Sequence, residues 1–566
     1  MPPAPERFRT KTAKDRPTGA VPLTGVSIGE IKAEILANTP ASPSDARPRE
    51  SRRASLLRSA PALLLLIIVV ADYGQLTDPD LWGHIRFGQD ALAQSGRVLH
   101  DTYSYTAFGH LFPNHEWLTD IVMATVYDHL GVVGLKLWKF TCVASTFLCL
   151  ALALAETGAS AAIQSDILLA AAIAVMPQMH FRPQLFTFLF FAAMLAILAR
   201  HYYRGSARLW MLVPIILLWV NVHGGFVIGI ATLFVYTGIV GLEDLLSGRG
   251  LRRGLQLGGL ALLSILAPLL TPSGIGTWRI AIGAVLNPAV RINITDWHPL
   301  MFAMAQQWHA GHLGVIYYLL VLGFIAAFIV SVVLTPRGGD LPFIVIAAIM
   351  SYAAWTAMRN MPLAVIACAL PVARHTTLIL ANLDKRAAAM SAVPAATSSE
   401  RPPMSPWIVE TLAVALALYA GIFSSRLRLE APYPAGAVAF MQQHGLSGNI
   451  LNEFGWGEYL IWHLAPGSKV FIDGRYSLIY SDKVINDYID FNFDRPRASQ
   501  VLASYHHDFV LIPPTAGAFK LMMRTSGWVL IYRDPHAALF ARADTPAARQ
   551  FTVPENAVPP SIRYFP

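Results

Sequence analysis

The chain has 566 residues, of which 54% are hydrophobic and only 14% charged, with a formal net charge of +8. That composition lies outside the ordinary soluble range and inside the polytopic membrane class. Its three cysteines, Cys142, Cys149 and Cys368, all sit in apolar runs, which excludes a disulfide framework and a Cys-based metal site.

Residues 1–58 are rich in Pro, Ser and Ala and basic; they read as a disordered cytoplasmic tail, too long for the n-region of a secretory signal. Arg52, Arg53 and Arg58 stand just before "SAPALLLLIIVVADYGQL", and the positive-inside rule places that flank in the cytoplasm. Apolar stretches follow near 60–76, 132–155, 162–179, 183–200, 208–222, 225–245, 256–272, 313–334, 341–358, 361–380 and 406–424. By length and hydropathy these are about eleven spans. Parity then puts the basic segments 200–208, 247–254, Arg337 and 384–386 inside, in accord with the charge rule. It puts 77–131, 180–182, 221–225, 273–312, 359–360 and everything after 425 outside. A Pro/Ser linker at 394–406 precedes the last span. From about 430, β-rich runs such as "KVFIDG" and "DFVLIPP" alternate with helical patterns, which predicts a small α/β domain.

The expected fold is therefore a polytopic α-helical membrane protein with its N-terminus in the cytoplasm and a C-terminal extracytoplasmic α/β domain. Its parts are the tail 1–58, a transmembrane domain 59–424 with external loops 77–131 and 273–312, and the domain 425–566.

Ionisable groups at membrane depth are costly, so those beside the spans are candidate functional residues. They gather on one side: Asp78, Asp80, His84, Asp101, His115, Glu116, Arg182, His223, Asp296, His298 and Arg359 all fall at extracytoplasmic ends of spans. Each has a plain alternative. Arg182 and Arg359 read as interfacial anchors or as binders of an anionic ligand or loop carboxylate. His223, before Gly224-Gly225, reads as part of a tight turn or as a site residue. Asp296 reads as a loop-turn acid or an active-site carboxylate. Glu116 opens the stretch 116–131, too charged to span, which is expected to lie along the interface; Glu116 is then a helix-start acid or a binding group.

Pro79 holds Asp78 extended, and residues two apart in extended chain point the same way, so Asp78 and Asp80 face one site. Asp80 also reads as the N-cap of the helix "LWGHIRFGQDALAQ". The two readings are compatible, because a capped helix is a rigid mount.

This loop resembles the first external loop of membrane glycosyltransferases of the GT-C superfamily, which take a sugar from a polyprenyl-phosphate carrier and carry a catalytic acid just after the first span. Asp80, Trp82 and Arg86 are similar to the Asp-x-aromatic-x-x-x-Arg pattern of the oligosaccharyltransferase catalytic subunit, which implies Asp80, assisted by Asp78, as catalytic. Past the last span, "LNEFGWGEYLIWHLAPGSKVFIDGR" looks like a divergent form of that family's acceptor-reading segment. The strand and "DGR" (473–475) are kept, but "GWGEY" stands where the family has Trp-Trp-Asp, which counts against asparagine-linked protein glycosylation. "WVNVHGGF" and "RNMPLAVIACALP" also look like bacterial members of the group.

The resemblance implies an inverting transferase in the bacterial inner membrane, facing the periplasm. It would use a polyprenyl-phosphate-linked sugar donor and a glycan, lipid or protein acceptor, among membrane lipids. A positioned carboxylate can serve as general base, and arginine offers a fork to phosphate. Arg182, Arg359 and His223 are the expected donor-phosphate ligands; His84, Arg86, Glu116, Asp296 and His298 are expected to support the acceptor. A divalent cation (Mg or Mn), if used, would be held by Asp78 and Asp80 through oxygen. The sequence has no P-loop, no HExxH and no Cys/His zinc spacing, and its positive charge follows topology, so no nucleic-acid partner is expected. The competing readings are a lipid-linked polysaccharide ligase or polymerase, and a non-catalytic transporter, flippase or scaffold of envelope glycan assembly.

Overall fold

The computed structural model describes residues 76–94, 99–248, 252–286, 294–311, 314–335, 339–390, 426–429, 432–551 and 564–566. The expected tail, nearly all of the first expected span, the linker 394–406 and the span 406–424 lie outside the described residues.

The described chain is mostly helical. Six helices are long and apolar enough to cross a membrane: Trp117–Glu156, Ala161–Gln178, Gln184–Arg204, Phe226–Leu246, Val315–Leu334 and Met358–Arg386. Three shorter apolar helices, Leu209–Val222, Gly254–Leu270 and Leu341–Thr356, accompany them. These three coincide with expected spans but fall short of the roughly 20 helical residues that a bilayer core requires. Their ends explain it. His223 is extended (φ −164°, ψ 144°), Pro268 turns the second helix into a 3₁₀ end, and Ala357 is extended again (φ −153°, ψ 119°). The polar turns that follow two of these breaks, at 223–225 and 358–360, both line the cavity described below.

The stretch expected along the interface is instead the first arm of the Trp117–Glu156 helix, which kinks at Gly131 (φ 59°, ψ −146°). Thr119, Asp120, Met123 and Ala124 bury one face of that arm. The arm packs on the helix Leu81–Ala93, where Gly88 leaves no room for a side chain against the Asp120 carbonyl. The hydrophobic pattern that suggested a lipid surface is satisfied by protein.

Beyond residue 432 a five-stranded sheet runs in the order Lys469–Val470, Asn449–Asn452, Phe509–Ile512, Ala538–Arg542, Trp528–Arg533. The first three strands are parallel and the last two join antiparallel. All four residues of Phe509–Ile512 are buried, as expected for a central strand covered on both faces.

The loop after the first expected span is the clamp between the two parts. Leu76–Thr77 pairs with Arg428–Leu429, and Tyr103 and Tyr105 exchange backbone hydrogen bonds with Val470 at 2.9 and 3.2 Å. The Trp82 ring lies 4.7 Å from Tyr433 and 5.3 Å from Tyr459. Arg475 bonds Asp101 and Asp473, each at 2.7 Å, with Tyr480 donating to Asp473 at 2.6 Å. In the "DGR" segment Asp473 and Arg475 are thus a buried ion pair at the point where the sheet meets the loop.

Candidate active site

The segment 78–81 is a turn rather than extended chain. Leu81 N–H donates to the Asp78 carbonyl at 3.1 Å, and Asp80 N–H donates to Asp78 Oδ1 at 3.0 Å. Pro79 occupies the second turn position, where its fixed φ is favourable. Asp80 adopts helical angles (φ −81°, ψ −7°) and its side chain makes no capping hydrogen bond. The two carboxylates still converge, because Asp78 folds back on the turn while Asp80 is released to face the same space.

What they meet is Arg182. Its Nε lies 2.5 Å from Asp78 and its Nη2 3.2 Å from Asp80, while Nη1 bonds Asp296. Arg182, placed by the Pro183 start of the Gln184–Arg204 helix, therefore gathers carboxylates from two loops. Burial works against the Arg182 charge, but the three aspartates hold its pKa well above the usual value. Burial likewise raises Asp296, but Arg182, Arg359 and His180 together more than offset it, leaving that carboxyl below its ordinary range. Asp80 differs: burial outweighs Arg182 and lifts it to about 6, aided by Asp78. Its side chain is 35% exposed, so water entering the cavity works against that rise. A carboxylate tuned toward neutral pH is what a general base requires.

Glu458 joins the site from the sheet domain. It is 6% exposed, and one of its oxygens accepts from Gly83 N–H at 3.0 Å. Burial and then the Asp80 charge push its carboxyl well above the usual range. Gly474 forms the adjacent wall: a Cβ there would stand 2.7 Å from both Asp80 Oδ1 and Glu458 Oε1.

A second polar group adjoins. His84 Nδ1 lies 2.7 Å from Asp120 Oδ1, and Asp120 Oδ2 accepts from Asn114 at 2.6 Å. Burial disfavours a charge on His84, but Asp120 raises its pKa to about 9, so it stands protonated within electrostatic reach of Glu116 and Asp80. His223 and Glu116 face one another with Nε2 and Oε1 3.6 Å apart. Arg359 lays its guanidinium over the Trp297 ring at 4.6 Å. Among the described residues no carboxylate is within ion-pair distance of Arg359.

Apart from Asp120, which stands behind His84, these groups line one cavity of about 1890 Å³. Its lining runs from Asp80, Arg182, Glu458 and Arg359 to Val285, Ile349 and Tyr352. The last three are also exposed, so the cavity reaches the apolar outer flank of the helices. Arg279 lies on that lining, exposed, with no carboxylate at ion-pair distance among the described residues.

Of the residues singled out in the sequence, Asp78, Asp80, His84, His115, Glu116, Arg182, His223, Asp296 and Arg359 line this cavity. Asp101, Arg86 and His298 do not. Arg86 turns to Tyr103 at 2.9 Å and to Asp90, and His298 uses its carbonyl to hold Met358 N–H at 2.9 Å with its ring on Phe302. Glu458 and Asp120 are additions. Glu458 occupies the "GWGEY" segment that replaces the expected acceptor motif, and nothing in its local pattern announces a contact with residue 83. Asp120 looks like one more charge on an amphipathic helix. Asp78 and Asp80 both meet the Arg182 guanidinium. Among the described residues no group of three or more His, Cys, Asp or Glu side chains is arranged to hold a metal ion.

The described residues thus define a mostly helical protein with helices long and apolar enough for a membrane and a polar cavity at one end of them. No protein-family profile matches the sequence, and no curated protein does. Among solved structures the chain is similar to the arabinofuranosyltransferase AftD from Mycobacteria, with a TM-score of 0.49 and 13% identity. The match covers 88% of this chain and 42% of that one, so the chain spans less than half of AftD.

Proposed function

We propose that this chain is a membrane glycosyltransferase that moves a sugar from a polyprenyl-phosphate carrier to an acceptor at the extracytoplasmic face, with Asp80 as general base. The observation that carries the reading is the cavity, which joins a cluster of acids and arginines to the apolar flank of the helices. A carrier with a charged head and a hydrocarbon tail fits both ends. The phosphate is held by Arg359, the inner cation without a carboxylate partner among the described residues, while Arg279 meets it nearer the flank. Arg182 holds Asp78 and Asp296 in place, while burial lifts the Asp80 carboxyl to about 6. Asp80 takes the acceptor proton as the acceptor attacks the anomeric carbon; the bond to the carrier phosphate breaks, and the phosphate leaves as an anion paired with Arg359. A single displacement of this kind inverts the anomeric centre.

A strain lacking the gene should accumulate a lipid-phosphate sugar identifiable by mass. Membrane lipids indistinguishable from those of the parent would speak against the reading.

A further inference from the structure

Two short segments, "NHEWLT" (114–119) and "NVHGGF" (221–226), are stapled together. Trp117 Nε1 donates to Asn221 Oδ1 at 3.0 Å, and Thr119 Oγ1 donates to the Val222 carbonyl at 2.7 Å. The staple sets Glu116 opposite His223.

The tautomer of His223 follows from its other partners. Trp219 Nε1 donates to Thr187 Oγ1 at 2.8 Å, which turns the Thr187 hydroxyl hydrogen toward His223 Nδ1 at 2.7 Å. Gly225 N–H donates to the same Nδ1 at 3.0 Å. This approach needs a glycine, since a Cβ at 225 would lie 2.3 Å from Thr187 Oγ1 and 2.9 Å from Nδ1. With two donors aimed at it, Nδ1 is an acceptor, so the ring is neutral and its hydrogen sits on Nε2, facing the cavity.

Glu116 is the complement. Its side chain is 20% exposed, and among the described residues its carboxylate accepts no hydrogen bond. His223 Nε2 and His115 Nε2 stand 3.6 and 3.7 Å from the same oxygen, beyond bonding distance. His115 Nδ1 is buried without a partner among the described residues. Largely buried polar groups normally find partners; here a donor and an acceptor are held just too far apart to satisfy each other.

Resting on the glycosyltransferase reading, we propose that Glu116 and His223 form a hydroxyl-reading subsite, and that the acceptor is a polyhydroxylated glycan rather than a polypeptide amide. An oxygen about 2.8 Å from each atom bridges the 3.6 Å gap. A sugar hydroxyl does this with one atom, donating to Glu116 and accepting from His223. The neighbouring His115 offers the next hydroxyl a partner. The donor phosphate is kept out, because a carboxylate repels it and a neutral imidazole gives it no charge. Arg359 lies within electrostatic reach of both residues, so the two substrates meet side by side.

The test uses the full chain in lipid nanodiscs with octyl glycosides, their monodeoxy counterparts and an octyl amide of asparagine as probes, and undecaprenyl phosphate as the separate donor-side probe. His223→Asn keeps an acceptor for Gly225 N–H while removing the cavity-facing N–H; Glu116→Gln keeps the shape and removes the charge. Wild type is expected to bind a glycoside and lose affinity for one deoxy form, and both variants to bind it about tenfold or more weakly. Undecaprenyl phosphate binding measured alongside distinguishes this local loss from unfolding. Glycoside affinity unchanged in both variants, or wild-type binding of the amide but of no glycoside, would overturn the proposal. Failure of wild type to bind undecaprenyl phosphate strikes instead at the donor reading, whatever the glycosides do.

Discussion

Replacing Arg182 with methionine keeps an apolar stem as far as the Nε position and removes the cation on which three carboxylates converge, at 2.5 Å for Asp78, 3.2 Å for Asp80 and a direct bond for Asp296. At an effective dielectric of about 20, each contact near 3 Å is worth about 5 kcal/mol of Coulomb attraction, about 15 kcal/mol gross for three. Most of that is offset by desolvation of the four groups and by repulsion among the aspartates, and breaking a buried pair costs about 3–5 kcal/mol net. Asp80 and Asp296 keep partial access to water, so the expected loss is near the lower figure, about 3 kcal/mol. The loss should depend on pH. Without Arg182 the folded-state pKa of Asp80, already raised to about 6, rises further above its unfolded value. Stability from a carboxyl raised in this way is present at low pH and lost as pH rises through the folded pKa. The deficit should therefore be smaller below about pH 6, where Asp80 is protonated with or without Arg182, and grow as pH rises above that value. Denaturant unfolding of the reconstituted protein on both sides of that value measures it. A loss under about 1 kcal/mol that does not change with pH would show that Arg182 does not hold the cluster.

Three further outcomes are expected. Gly474→Val places a side chain against Asp80 and Glu458 and should slow transfer about a hundredfold while the protein still folds, measured by turnover beside thermal unfolding. Arg359→Ala should raise the KM for a polyprenyl-phosphate donor more than it lowers kcat; an unchanged dependence on donor concentration would return Arg359 to the role of anchor on Trp297. A periplasm-dependent phosphatase fused after Leu429 should be active, and an inactive fusion would reverse the assigned side.

The membrane class and most of the cavity were legible because charged residues stand out against apolar sequence. Asp78, Asp80, Arg182, Asp296 and Arg359 flank apolar stretches where polar groups are costly, and all five meet in the cavity. Local geometry was less legible. Asp78 and Asp80 converge through a turn, not by strand alternation, because the Asp78 side chain captures the Asp80 N–H. The N-cap expected of Asp80 does not form, since its side chain turns to Arg182. Glu458 and Asp120 were missed for a common reason. Glu458 lies on the short helix Gly457–Leu464 and Asp120 on the first arm of Trp117–Glu156; such patterns show which face is buried but not what it is buried against, and a contact between residues 83 and 458 spans 375 positions. Arg86 was singled out by its spacing from Asp80, yet one helical turn and a half carries it away from the cavity to Tyr103.

The central claim is that Asp80 takes the acceptor proton in this cavity. Turnover of a polyprenyl-phosphate sugar by the purified protein, wild type against Asp80→Asn, tests it most directly. Wild-type kcat/KM should rise with pH through about 6, as the Asp80 carboxyl ionises. Asp80→Asn should be slower by about a hundredfold or more at every pH, with donor binding retained. Full turnover by Asp80→Asn, or a wild-type profile flat through pH 6, would contradict the account.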